Sequence, residues 1–182
     1  QVRVIAEGQN SNSALDNLLP AIPRLFRSDG QGSGMHNKFV AIDADLPDAA
    51  YLITGSTNST NQGFFVDANN MVVINDQAVA RGYRAEFDEM WGSSGATPNV
   101  GNSRFGADKT DNTPHLYNVN GTLVESSFSP SDGTTARIAN ALHTADERIE
   151  FALFAFTSSL LADALIDVQA EGSTVRGMIE AD

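Results

Sequence analysis

The chain has no cysteine, which removes disulfides and thiolate metal sites and leaves its compartment open. Cations are scarce: 11 Lys and Arg stand against 23 Asp and Glu, for a formal charge of −12. So acidic a surface repels a phosphate backbone over a Debye length, and tight nucleic-acid binding would need a local basic groove built from few residues. A bulk anionic membrane surface is disfavoured for the same reason. There is no run of 18 apolar residues, hence no expected transmembrane helix. The chain opens on Gln1 rather than Met, with no signal-type segment ahead of its first strand, so it reads as a processed or excised piece. Loops rich in Asn, Ser, Thr and Gly lean towards an exported bacterial protein. With 182 residues, 41% of them hydrophobic, the chain can bury one sizeable core and is most simply one domain.

One stretch carries chemistry. Met35 to Asp43 (MHNKFVAID) has the alternation of a strand, with Phe39 and Ala41 on one face and His36, Lys38, Val40 and Ile42 on the other. A period of two aims His36 and Lys38 at the same spot. An imidazole beside a fixed ammonium suits attack on an anionic phosphorus: the amine draws in the phosphoryl oxygens and the ring nitrogen is the nucleophile. Asp43 ends the strand, where it could hold or balance such a centre. A polar turn with Pro47 then leads to Tyr51–Ser56, a second strand that reads as the partner in a hairpin. This pairing sets Ser56 and Asn58 beside His36 and Lys38, offering a hydroxyl and an amide to phosphoryl oxygens.

The pattern His36-x-Lys38-x-x-x-x-Asp43, followed by Gly55-Ser56-Thr57-Asn58, resembles the phospholipase D superfamily. The resemblance implies that His36 forms a phosphohistidine, that Lys38, helped by Ser56 and Asn58, neutralises the phosphoryl charge, and that no metal or cofactor takes part. It also implies a second histidine to protonate the leaving oxygen and then activate water. His115 and His143 lack the motif's context, so each chain holds one half-site. The other would come from a homodimer mate's His36 or from sequence beyond Asp182. The family usually has Asn-x-Glu-Asn where this chain has Asp67-Ala68-Asn69-Asn70. Asn69 thus replaces the glutamate that steadies the histidine, and brings a hydrogen bond without charge. The implied activity is phosphodiester hydrolysis or phosphatidyl transfer, with the acidic charge favouring a lipid or small diester over nucleic acid. The rival is a catalytically inactive repeat used in protein binding or assembly. A metal-dependent hydrolase using His36, His115 and the aspartates finds no support in ligand spacing.

Around the motif, the pattern predicts α/β architecture with a mixed, largely parallel sheet flanked by helices. Strands are expected at 2–7, 24–27, 71–74, 123–128, 149–156 and 174–180. Helices are expected at 14–19, with Ser11 or Ser13 as cap, and at 77–91, where Val79, Tyr83, Phe87, Met90 and Trp91 form an apolar stripe. Further helices follow the Ser129–Gly133 turn and Ser158 or Ser159. Ser28 to Gly34 reads as a flexible glycine loop feeding the motif. The polar stretch 93–121 reads as a linker, and its charged part, Arg104 to His115, as solvated. Val175–Glu180 echoes Val2–Glu7, so residues 1–92 look like the back half of one phospholipase D-like repeat and 122–182 like the front half of the next. The expectation is that these halves pack as one permuted domain, within a chain or by swapping in a homodimer.

Overall fold

A computed structural model describes residues 1–10, 12–27 and 34–180. Ser11, residues 28–33 of the expected glycine loop, and residues 181–182 lie outside the described residues. The chain forms two compact units, Gln1–Phe128 and Ser129–Asp182, in a mixed α/β architecture.

The first unit opens with β1 (Val4–Glu7), a 3-10 turn at Ser13–Asn17, and β2 (Arg24–Arg27), which lies parallel to β1. Where a helix was expected at 14–19 there is only this turn. Pro20 limits the segment to about one turn, too short to outweigh the cost of helix nucleation. Next come β3 (Phe39–Ile42), β4 (Tyr51–Gly55), the short helix α1 (Asn61–Phe65) and β5 (Met71–Ile74), with the three strands antiparallel in that order. Among the described residues, parallel pairing is confined to β1–β2 and to the second unit. The eight residues between β3 and β4 can close an antiparallel hairpin but not a parallel crossover.

Against one face of this sheet lies α2 (Gln77–Trp91). The Asp76 side chain caps it by accepting from the Val79 N–H at 2.9 Å, and Gly92 ends it in a left-handed conformation (φ 77°). Leu52 of β4 and Val79 are fully buried here together with Tyr117. Phe39, Ile74 and Tyr83 pack around them. The expected linker carries 3-10 turns at Val100–Asn102 and Gly106–Asp108, then β6 (Leu116–Val119), which forms a hairpin with β7 (Thr122–Glu125). Val119 and Val124 of that hairpin join the same core, so the stretch after α2 contributes to packing as well as spanning.

The second unit runs α3 (Thr134–Leu142), β8 (Arg148–Leu153), α4 (Ser159–Ala170) and β9 (Thr174–Ile179). The Ser158 hydroxyl caps α4, as expected, and β9 returns parallel to β8, as a helical crossover dictates.

Candidate functional site

The expected strand from Met35 enters the ladder only at Phe39, which pairs with Thr54. Beyond that point β4 turns at Gly55, whose φ of 152° disfavours any side chain, and whose Cβ, if present, would collide with the Asn70 carbonyl. Residues 34–38 therefore run ahead of the ladder and are held by side chains. The Glu7 carboxylate accepts the Met35 N–H at 2.7 Å. Thr54 Oγ1 donates to the Lys38 carbonyl at 3.1 Å. Between these two, Asn37 Nδ2 donates to Glu86 Oε1 at 2.8 Å.

With Asn37 drawn towards α2, its two neighbours meet on the other side. Lys38 Nζ stands 3.3 Å from His36 Nδ1 and 2.8 Å from the His36 carbonyl oxygen. The ring is exposed and the lysine half-buried. Desolvation lowers the ammonium's pKa below its ordinary value. An exposed imidazole beside an ammonium is an arrangement that can meet an anionic group from solvent.

The remaining expected residues divide. Antiparallel pairing brings the 56–58 segment to the same end of the hairpin as His36 and Lys38. Ser56 Oγ donates to Asn69 Oδ1 and accepts the Asn70 N–H, both at 3.0 Å. Asn58 is exposed, and its carbonyl accepts the Thr60 N–H at 2.8 Å at the start of α1. Asn69 Nδ2 goes to the Gly63 carbonyl at 3.0 Å, so the described hydrogen bonds of Asn69 reach Ser56 and Gly63 rather than the imidazole. Asp43 stands apart. It follows β3, in a left-handed conformation (φ 45°), and its carbonyl accepts the Leu46 N–H at 2.8 Å. The four residues of β3 lie between it and Lys38, a span of about 16 Å, so its place is in the turn and not at the pair.

Behind the pair lies a group that the sequence reading passed over. Glu86 and Lys109 are buried, with side chains 1% and 4% exposed, and Lys109 Nζ is 2.6 Å from Glu86 Oε1. Burial raises the Glu86 pKa, while the Lys109 and Asn37 hydrogen bonds oppose the rise. A signal for Glu86 did exist. It stands seven residues after Val79 and four before Met90, a carboxylate on the apolar stripe of α2. Lys109 carried no such mark, since it falls in the charged run read as solvated.

Hairpin, pair and supporting carboxylates together make an α/β unit with an exposed imidazole–ammonium pair at its mouth. The family model described as "Cardiolipin synthase, PLD-like domain" matches residues 1–91, half of the chain, and the chain belongs to that family. Among curated proteins it is similar to the mitochondrial cardiolipin hydrolase of Xenopus laevis, at 31% identity over 65 residues, 36% of this chain and 29% of that protein. The mitochondrial cardiolipin hydrolase of Xenopus tropicalis is 29% identical over the same length, with the same shares covered. The chain thus matches less than a third of the length of these relatives. No solved structure matches it.

Proposed function

We propose that this chain supplies one half-site of a phosphodiesterase or phosphatidyl transferase that works through a phosphohistidine at His36. The observation that carries this is the 3.3 Å approach of Lys38 Nζ to the His36 ring at an exposed hairpin mouth. A ring nitrogen of His36 attacks phosphorus, and the bond from phosphorus to the leaving oxygen breaks. That oxygen takes a proton from a second histidine. Water, deprotonated by the same second histidine, then attacks the phosphohistidine and releases the phosphorylated product with a free imidazole. The second histidine comes from another copy of this chain or from sequence outside residues 1–182. An alcohol in place of water gives transfer.

Lys38 has two successive partners in this scheme. An ammonium only donates, so the Nδ1 it faces is an acceptor and the neutral ring keeps its proton on Nε2. When a phosphoryl oxygen arrives, Lys38 turns to it and Nδ1 is released. Ser56 reaches the phosphoryl group by exchanging its bond to Asn69. The names of the Xenopus relatives and the net charge of −12 favour a phospholipid diester over a nucleic acid. Asn69, spent on Ser56 and Gly63, favours the second reading, a repeat that binds or assembles without turnover.

Quenching the protein in acid-free denaturant after mixing with a short-chain phospholipid diester, and looking for a phosphohistidine by mass spectrometry, tests the proposal. An adduct on His36 that is absent in His36→Ala is expected. An unlabelled His36, in this chain and in any longer protein containing it, would leave the non-catalytic reading standing.

A further inference from the structure

We propose that the Glu86–Lys109 ion pair positions His36 and Lys38 by anchoring the side chain of Asn37 between them. The consequence for rate rests on the phosphohistidine reading; the anchoring itself does not. Asn37 Nδ2 and Lys109 Nζ both end on the same oxygen, Glu86 Oε1, at 2.8 and 2.6 Å. Lys109 therefore opposes protonation of the very atom that holds Asn37, and a hydrogen bond to a charged acceptor is stronger and more directional than one to a neutral acceptor.

Packing alone gives no reason for this arrangement. Glu86 occupies a stripe position of α2 between Val79 and Met90, all three buried, where an aliphatic side chain would fill the space. Replacing a buried ion pair by well-packed apolar residues is often neutral or stabilising. What an aliphatic residue cannot do is fix the direction of an amide. Residues 34–38 have no strand partner, so side-chain tethers set their path, and the inward tether falls on the residue between nucleophile and ammonium. Turning Asn37 in turns His36 and Lys38 out.

The test uses the full 182-residue chain with Asn37→Ala and Asn37→Asp. Asn37→Asp keeps the size of the side chain but replaces the donating amide by an acceptor facing Glu86 Oε1, so it removes the hydrogen bond without removing the volume. Backbone 15N relaxation reads the tether without any substrate. Order parameters at residues 35–38 should fall from about 0.85 to below about 0.6 in Asn37→Ala, while the rest of the sheet is unmoved. With the short-chain diester, adduct formation on His36 should slow about 100-fold at unchanged KM. Asn37→Asp should be at least as slow, and as mobile at 35–38. Unchanged order at 35–38 in Asn37→Ala overturns the proposal, as does an Asn37→Asp variant that keeps wild-type order there. If wild type forms no adduct, the phosphohistidine reading fails, and relaxation still decides the anchor. If Asn37→Asp does not fold, Asn37→Ala decides it alone.

Discussion

Lys38 Nζ lies 2.8 Å from the carbonyl oxygen of His36 as well as 3.3 Å from its ring, so the lysine grips the residue two places before it by backbone and side chain together. Lys38→Met should lower kcat/KM towards a phosphodiester by about 100- to 1,000-fold, the usual cost of removing a positioned charge from a developing oxyanion. Lys38→Arg should recover little, because a planar fork cannot take the place of a compact ammonium beside the ring. Initial rates for the two variants, with unfolding midpoints as control, check this.

The pH profile follows from the burial of Lys38. Desolvation holds its pKa below 10.5; in the proposed mechanism the charged form is the working one, so kcat/KM should fall on the alkaline side below that ordinary value. Stability has the opposite sign. Between the lowered folded pKa and 10.5 the unfolded chain binds more protons, so this group's contribution improves as pH rises through that window. Rate and urea midpoint measured over the same alkaline range should diverge.

Lys109→Met leaves Glu86 buried without that cation and should cost about 3–5 kcal/mol by urea unfolding at neutral pH. Part of the loss should return in acid. Burial raises the folded pKa of Glu86 above 4.5 and Lys109 opposes the rise, so without Lys109 the window extends upwards. The folded state binds the extra proton there, and the contribution, fully present below the unfolded value, is lost as pH rises through the folded one. The variant's stability should therefore decline from about pH 4.5 upward more steeply than that of wild type.

Gly82→Ala separates propensity from packing. Alanine in a helix interior gains about 1 kcal/mol over glycine, but a Cβ at Gly82 of α2 would run into the buried Tyr117 hydroxyl and lie 2.9 Å from its Cζ. The net effect should be a loss of about 1–3 kcal/mol, seen as a lower Tm. Tyr117→Phe in the same chain should recover part of it, since the hydroxyl is the nearest obstacle.

How much of this could be read in advance depended on whether the signal was local. The hairpin of β3 and β4, the span of α2 with its stripe of Val79, Tyr83 and Met90, and the Ser158 cap all follow from spacing over a few residues, and the family resemblance in the His36-x-Lys38 segment stood on residues close together in the chain. The support of that segment did not. Glu7 reaches Met35 across 28 residues and Asn37 reaches Glu86 across 49, and periodicity carries no information about such pairs. Asp43 was placed at the centre by its motif, yet an extended β3 carries it to the far end. Lys109 looked like one more solvated charge because charge clusters usually are; only a carboxylate buried on another element distinguishes it.

Glu86 sits on the third turn of α2, a helix about 22 Å long at 1.5 Å per residue, so the segment that carries His36 and Lys38 and the hydrophobic interior share a single structural member. Warming that loosens this helix against the sheet would disarm the imidazole before the strands part. For this chain, heat inactivation should lead melting rather than follow it.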